Sequence, residues 1–167
     1  GYDAVQHLIS RGRRRIAFLG HASSHYPEFR DRYRGGCEAQ KSNGIGIVPG
    51  RQVDALTNEQ SGYDAALELI RRKVKFDAIF AASDLIAIGA IRALEEKGLD
   101  VPGDIAVVGF DDIPAAGLAH PPLTTVQQDY RRAGEVLVDA LLKQIRKQKA
   151  DTTALPARLI VRKSSGA

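Results

Sequence analysis

The segment from Ile105 to Gln128 constrains the fold more than any other. Its apolar run Ile105-Ala106-Val107-Val108 stops at Gly109-Phe110-Asp111-Asp112. That is the pattern of a strand buried on both faces, delivering carboxylates at its carboxyl end, where open α/β sheets bind ligands. A second apolar stretch, Leu123 to Val126, ends in Gln127-Gln128-Asp129-Tyr130. Two strand ends therefore offer amide, carboxylate and aromatic groups, a binding site in outline.

The remaining pattern alternates helix and strand. Ala4, Val5, Leu8 and Ile9 have helical spacing, stopped by Gly12. Ile16 to Gly20 reads as a buried strand and His21 to Glu28 as a polar loop. Phe29, Tyr33 and Cys37 recur every four residues, one helical stripe for packing. A short strand is expected near Val53 to Leu56. Thr57 and Gln60 then have the spacing of a capping box, opening a helix with Tyr63, Ala66, Leu67 and Ile70 on one face. Asp77 to Ala82 is another strand. Leu85 to Leu94 is apolar all round, as in a helix buried on two sides. One side faces the sheet; the other needs a cover that the chain does not obviously supply, which points to a second subunit. Ala133, Val136, Leu137, Ala140 and Leu141 mark an amphipathic helix, and Leu159 to Val161 a last short strand. The alternation implies an α/β fold with a doubly wound parallel sheet. Because the chain opens on a helix with no strand ahead of it, it reads as one lobe plus fragments of a second.

At 167 residues and 44% hydrophobic content, the chain can bury one domain-sized core. It has no apolar segment of membrane-spanning length and no signal-peptide pattern. Cys37 alone allows no internal disulfide and fits a reducing compartment. With no methionine, the chain is expected to have lost something upstream. The net charge of +4 raises nucleic acid, but the cations sit at helix ends: Arg11 and Arg13 to Arg15, Arg71 to Lys73, and Lys143 to Lys149. There each offsets a helix dipole by ~0.3 to 1 kcal/mol, and no interleaved aromatics suggest a single-strand platform.

Four chemistries fail on spacing. Gly44-Ile45-Gly46 lacks the third glycine and the preceding strand of a dinucleotide loop, and no Walker-type run exists. His7, His21, His25 and His120 have no metal-ligand spacing and read as surface or loop histidines, so neither metal nor cofactor is expected. Ser23 and Ser24 lack a nucleophile elbow. Asp111 and Asp112 could hold Mg²⁺ as in a receiver domain, but the pair comes too late in the chain; the plain alternative is turn or cap residues.

The chain resembles the effector-binding core of the LacI/GalR family of bacterial transcriptional regulators, over nearly its whole length. The resemblance runs through Leu8 to Leu19 with Gly12 and Arg14-Arg15-Ile16, Arg32-x-x-Gly35, Ser61-Gly62-Tyr63, and Ala82-Ser83-Asp84 to Ile88-Gly89-Ala90. It continues through Asp104 to Asp112, Pro121-Pro122-Leu123-Thr124-Thr125-Val126 to Gln128, and Leu159-Ile160-Val161-Arg162. It implies a periplasmic-binding-protein-like fold: residues 1–129 mainly the carboxyl-terminal lobe, 130–150 a helix of the other lobe, 151–167 a return strand, and a DNA-binding head absent. It also implies a non-catalytic, cytoplasmic sensor that clamps a sugar or sugar-like effector between two lobes, forms a homodimer and meets operator DNA only through that head. By position, Arg32 would fork onto effector hydroxyls or a carboxylate, Asp111 accept from hydroxyls, Gln128 supply a crossing-strand amide and Tyr130 flank the site. Ser83 stands where many members carry asparagine and shortens the reach, Thr57 stands near a position often aromatic, and Asp84 is expected to cap the next helix. Ile88 and Ile91, beside Leu118, are expected at the dimer interface. A periplasmic sugar-binding protein would share the fold and ligand chemistry, and an α/β phosphotransferase is a third reading.

Overall fold

The computed structural model describes residues 1–22, 25–150 and 152–166; Ser23 and Ser24, tested above as nucleophiles, lie outside the described residues. The elements in chain order are α1 (Tyr2–Ser10), β1 (Ile16–Leu19), α2 (Pro27–Ser42), β2 (Gln52–Val53), α3 (Glu59–Arg71), β3 (Ala78–Ala81), α4 (Asp84–Glu96), β4 (Ala106–Asp111), α5 (Pro114–Leu118), β5 (Thr124–Gln128), α6 (Tyr130–Ile145) and β6 (Ala157–Ile160). The sheet order is β2-β1-β3-β4-β5-β6. β1 to β5 are parallel, as the alternation predicted. β6 is antiparallel to β5, in register from Thr125↔Ile160 to Gln128↔Ala157, and starts two residues earlier than expected. Strands β1 and β3 are buried along their whole length. Helices α1 and α2 pair with each other, as do α3 and α4, and both pairs lie on the sheet. The strand order reverses between β1 and β3, the kind of switch point where such sheets open a ligand crevice.

Glycine decides how the helices meet. A methyl group at Gly62 would overlap the backbone of Ile86, and one at Gly89 the carbonyl of Glu59, so α3 and α4 approach backbone to backbone. Helix α3 is therefore the cover that the all-round apolar α4 requires, and the inference of a second subunit from that requirement is corrected. Ile91 is 3% exposed within this one chain, Ile88 is partly buried, and Leu118 is 86% exposed. The cap of α3 is Asn58, whose side chain accepts from the Ser61 N–H at 2.8 Å; Thr57 lies one residue before that cap.

The arginines near α1 do more than offset a dipole. Arg13 donates to the carbonyl of Pro102 at 2.5 Å, Arg11 to that of Gly166, and the backbone and side chain of Arg15 both bind Asp77. The chain after β6 folds back as a turn at Lys163–Ser165. There the Ser164 hydroxyl donates to the Val107 carbonyl at 2.7 Å and accepts from the Thr124 N–H at 2.8 Å. Ser165 meets Thr124 Oγ1 at 2.7 Å and the His7 ring at 2.9 Å, so His7 is a staple between α1 and this turn instead of a free surface histidine. Helix α6 has no buried residue and exposes Leu137, Val138, Leu141, Leu142 and Ile145.

Candidate functional site

Three strands and two helices bring polar groups to the carboxyl edge of the sheet. Arg32, on the second turn of α2, lays its guanidinium on the Phe110 ring at 3.8 Å from the centroid and lies 5.5 Å from that of Phe29. It donates to the Ala82 carbonyl just past β3, and to Asp111 Oδ1 at 3.4 Å. Asp111 Oδ1 also accepts from the Gln128 side-chain amide at 3.0 Å, and that amide lies 3.3 Å from the Tyr130 hydroxyl.

The turn presenting the carboxylate departs from ordinary strand geometry. Asp111 has φ +116° and Asp112 φ +55°. Aspartate tolerates positive φ better than most residues, yet such a backbone persists only where surrounding contacts hold it. The two carboxylates then diverge. Asp112 turns to Arg162 at 2.7 Å and to the Gln127 amide at 2.7 Å, so the adjacent pair is not arranged around one shared ion.

Electrostatics show an unsaturated pair. Burial pushes Asp111 above the usual carboxylate range even with Arg32 beside it, and burial lowers Arg32 even with Asp111 beside it. Their one-point contact is weaker than the bidentate fork these groups can make. Hydroxyls between them would bond both while the exposed Tyr130 ring offers apolar surface, the composition of a site for a polar ligand with an apolar face.

Of the six residues anticipated, Arg32, Asp111, Gln128 and Tyr130 form this cluster. Ser83 is 1% exposed and its hydroxyl accepts from the Ile86 N–H at 3.4 Å as the cap of α4. It is the neighbouring Ala82 carbonyl that reaches Arg32. Thr57 is in the exposed turn before α3, and none of the cluster's bonds extends to it. Asp84 is not the cap expected of it but a buried carboxylate joined to Thr125 and Ile113. The stacking role of Phe110 was hidden in an apolar run, where an aromatic reads as core. A small open pocket of about 20 Å³ between α2 and β1, with room for about one water, lies apart from the cluster.

A family profile described as a periplasmic binding protein-like domain matches residues 5–165. The HTH-type transcriptional regulator RegA of Clostridium saccharobutylicum is 36% identical over 98% of this chain and 50% of its own length. Among solved structures, the complex of the transcriptional regulator CelR with cellobiose superposes with a TM-score of 0.91 at 34% identity, over 96% of this chain and 50% of that one. The lac repressor dimer bound to operator and an anti-inducer gives 0.89 at 32% identity, over 99% and 51%. The chain spans about half the length of the curated relatives it matches.

Proposed function

The chain belongs to the periplasmic binding protein-like domain family, in the form found in LacI-family transcriptional regulators, and from that premise we propose that it is the effector-sensing part of such a regulator. The ligand is a small polar effector, a sugar or a close relative, held between this lobe and a second one that contributes α6. The observation that carries this reading is the cluster of Arg32, Asp111, Gln128 and Tyr130 at the carboxyl edge of the sheet. Effector binding favours one angle between the lobes, and the angle sets how the DNA-binding heads of a homodimer meet an operator; this requires different affinities for the two arrangements. The chain acts in the cytoplasm and performs no catalysis. The transport reading is not favoured, because the relatives named above are regulators. No helix among the described residues is long and apolar enough to cross a membrane.

Calorimetry of the full-length regulator against cellobiose, ribose, sugar acids and nucleosides tests the reading. For any ligand found, Arg32→Ala and Asp111→Asn should each weaken binding roughly a hundredfold, on the order of 2 to 3 kcal/mol, by leaving a buried polar partner unpaired. Folding should be retained in both. Unchanged affinity in both variants would remove the site assignment.

A further inference from the structure

The turn that carries Asp111 has a second attachment. The Arg162 guanidinium donates to Asp112 Oδ1 with one arm, at 2.7 Å, and to the Leu123 carbonyl with the other, at 2.8 Å. Asp112 Oδ2 accepts from the Gln127 amide, whose oxygen accepts from Arg158 at 2.8 Å. The Asp112 N–H reaches the Thr125 hydroxyl at 3.4 Å. Successive strand residues face opposite ways, so on β5 Gln128 serves Asp111 and Gln127 serves Asp112. Arg158 lies within β6 and Arg162 just beyond it. Two polar clusters thus share one peptide, between Asp111 and Asp112.

We propose that Asp112 and Arg162 are positioning residues that lock the Asp111 turn to β6, so that a shift of Asp111 is passed to the strand returning from α6. This rests on the reading of the Asp111 cluster as an effector site. Both residues of the turn have positive φ, so side-chain contacts on each side hold the shared peptide. When Asp111 moves toward a hydroxyl, that peptide rotates and the Asp112–Arg162 contact must follow. Asp112 is 10% and Arg162 24% exposed along the side chain, so this is not a screened surface pair. Strand β6 is an edge strand held by β5 alone. The chain leaves for α6 after Gln128 and returns at Ala157, its direct partner in the ladder, so whatever displaces β6 displaces the return crossing.

Amide hydrogen exchange of Ala157 to Ile160 in this chain measures the lock without any effector. Asp112→Asn should accelerate those amides about tenfold while the global unfolding midpoint holds. Arg162→Lys should do the same, because a point charge cannot bridge Asp112 and the Leu123 carbonyl; it carries the comparison alone if Asp112→Asn does not fold. Asp111→Asn should accelerate the same amides by about threefold or more when Arg162 is present, and add nothing in the Arg162→Lys background. A merely structural ion pair would give the first two effects and leave Asp111→Asn silent or independent of Arg162, and either result overturns the proposal. Since no effector enters, failure here leaves the sensor reading standing, and failed calorimetry leaves the exchange result standing.

Discussion

Asp84 shows how much a single side chain can be asked to hold. It is fully buried, with Oδ1 accepting from the Thr125 hydroxyl at 2.5 Å and Oδ2 from the Ile113 N–H at 2.9 Å. Among the described residues no cation forms an ion pair with it. Burial pushes its carboxyl up to about 6, further assisted by Asp111 and Asp112, while the two hydrogen bonds oppose the rise. With the folded value above the unfolded one, the folded state holds a proton that the unfolded chain has released between about pH 4 and 6. Asp84 therefore contributes stability at low pH that is lost as the pH rises through that window, on the order of 2 to 3 kcal/mol for a shift of this size. The Asp111 carboxyl moves in the same direction but is common to both proteins in the comparison. Asp84→Asn should thus gain on wild type between pH 4.5 and 7 in urea titrations. An identical pH profile for the two would show that the carboxylate is ionised without penalty. In the sequence Ser83-Asp84 looks like two cap candidates in a row, and only tertiary packing decides that the serine caps and the aspartate is buried.

At the scale of elements, the α3–α4 contact is the most exposed to a small change. Gly89→Ala would drive a methyl group into the Glu59 carbonyl, and backbone cannot yield as a side-chain tip would. A loss of about 1 to 3 kcal/mol in the urea unfolding free energy is expected, whereas Gly134→Ala, within α6 where nothing lies near, should gain about 0.5 to 1 kcal/mol. The helices and central strands were legible because their apolar spacing is local. The partner of α4 was not, because the signal at Gly62 and Gly89 is an absent side chain that acts only across 27 residues of chain. The direction of β6 was likewise hidden, since an apolar run has no polarity, and Asn58 won the cap from Thr57 although both suit the role. Of the site, Asp111, Gln128 and Tyr130 were legible at the ends of two apolar runs, and Arg32 only through its place in a family pattern. Arg158 and Arg162 were overlooked as ligand-edge residues because they lie in a segment where the chain shows no amphipathic period.

For the molecule as a whole, the exposed Leu118 beside a groove lined by Ile88, Ile91, Arg92, Glu95, Ala119 and His120 is the face expected to pair with a second copy. Sedimentation at tens of micromolar, roughly tenfold above a micromolar dimer, should show the dimer. Leu118→Asp should abolish it, while Leu137→Ser on the equally exposed α6 should leave it intact; the reverse pattern would move the interface to α6. The Lys163–Ser165 turn has a consequence in time. The bond from the Thr124 N–H to Ser164 spans 40 residues of chain. A ribosome adding about 5 to 20 residues per second would make Thr124 some 2 to 8 s before the serine that accepts its N–H. For most of that interval β6 is also still to come, and a chaperone that grips unpaired strands would find the β5 edge open until Ala157 to Ile160 arrive.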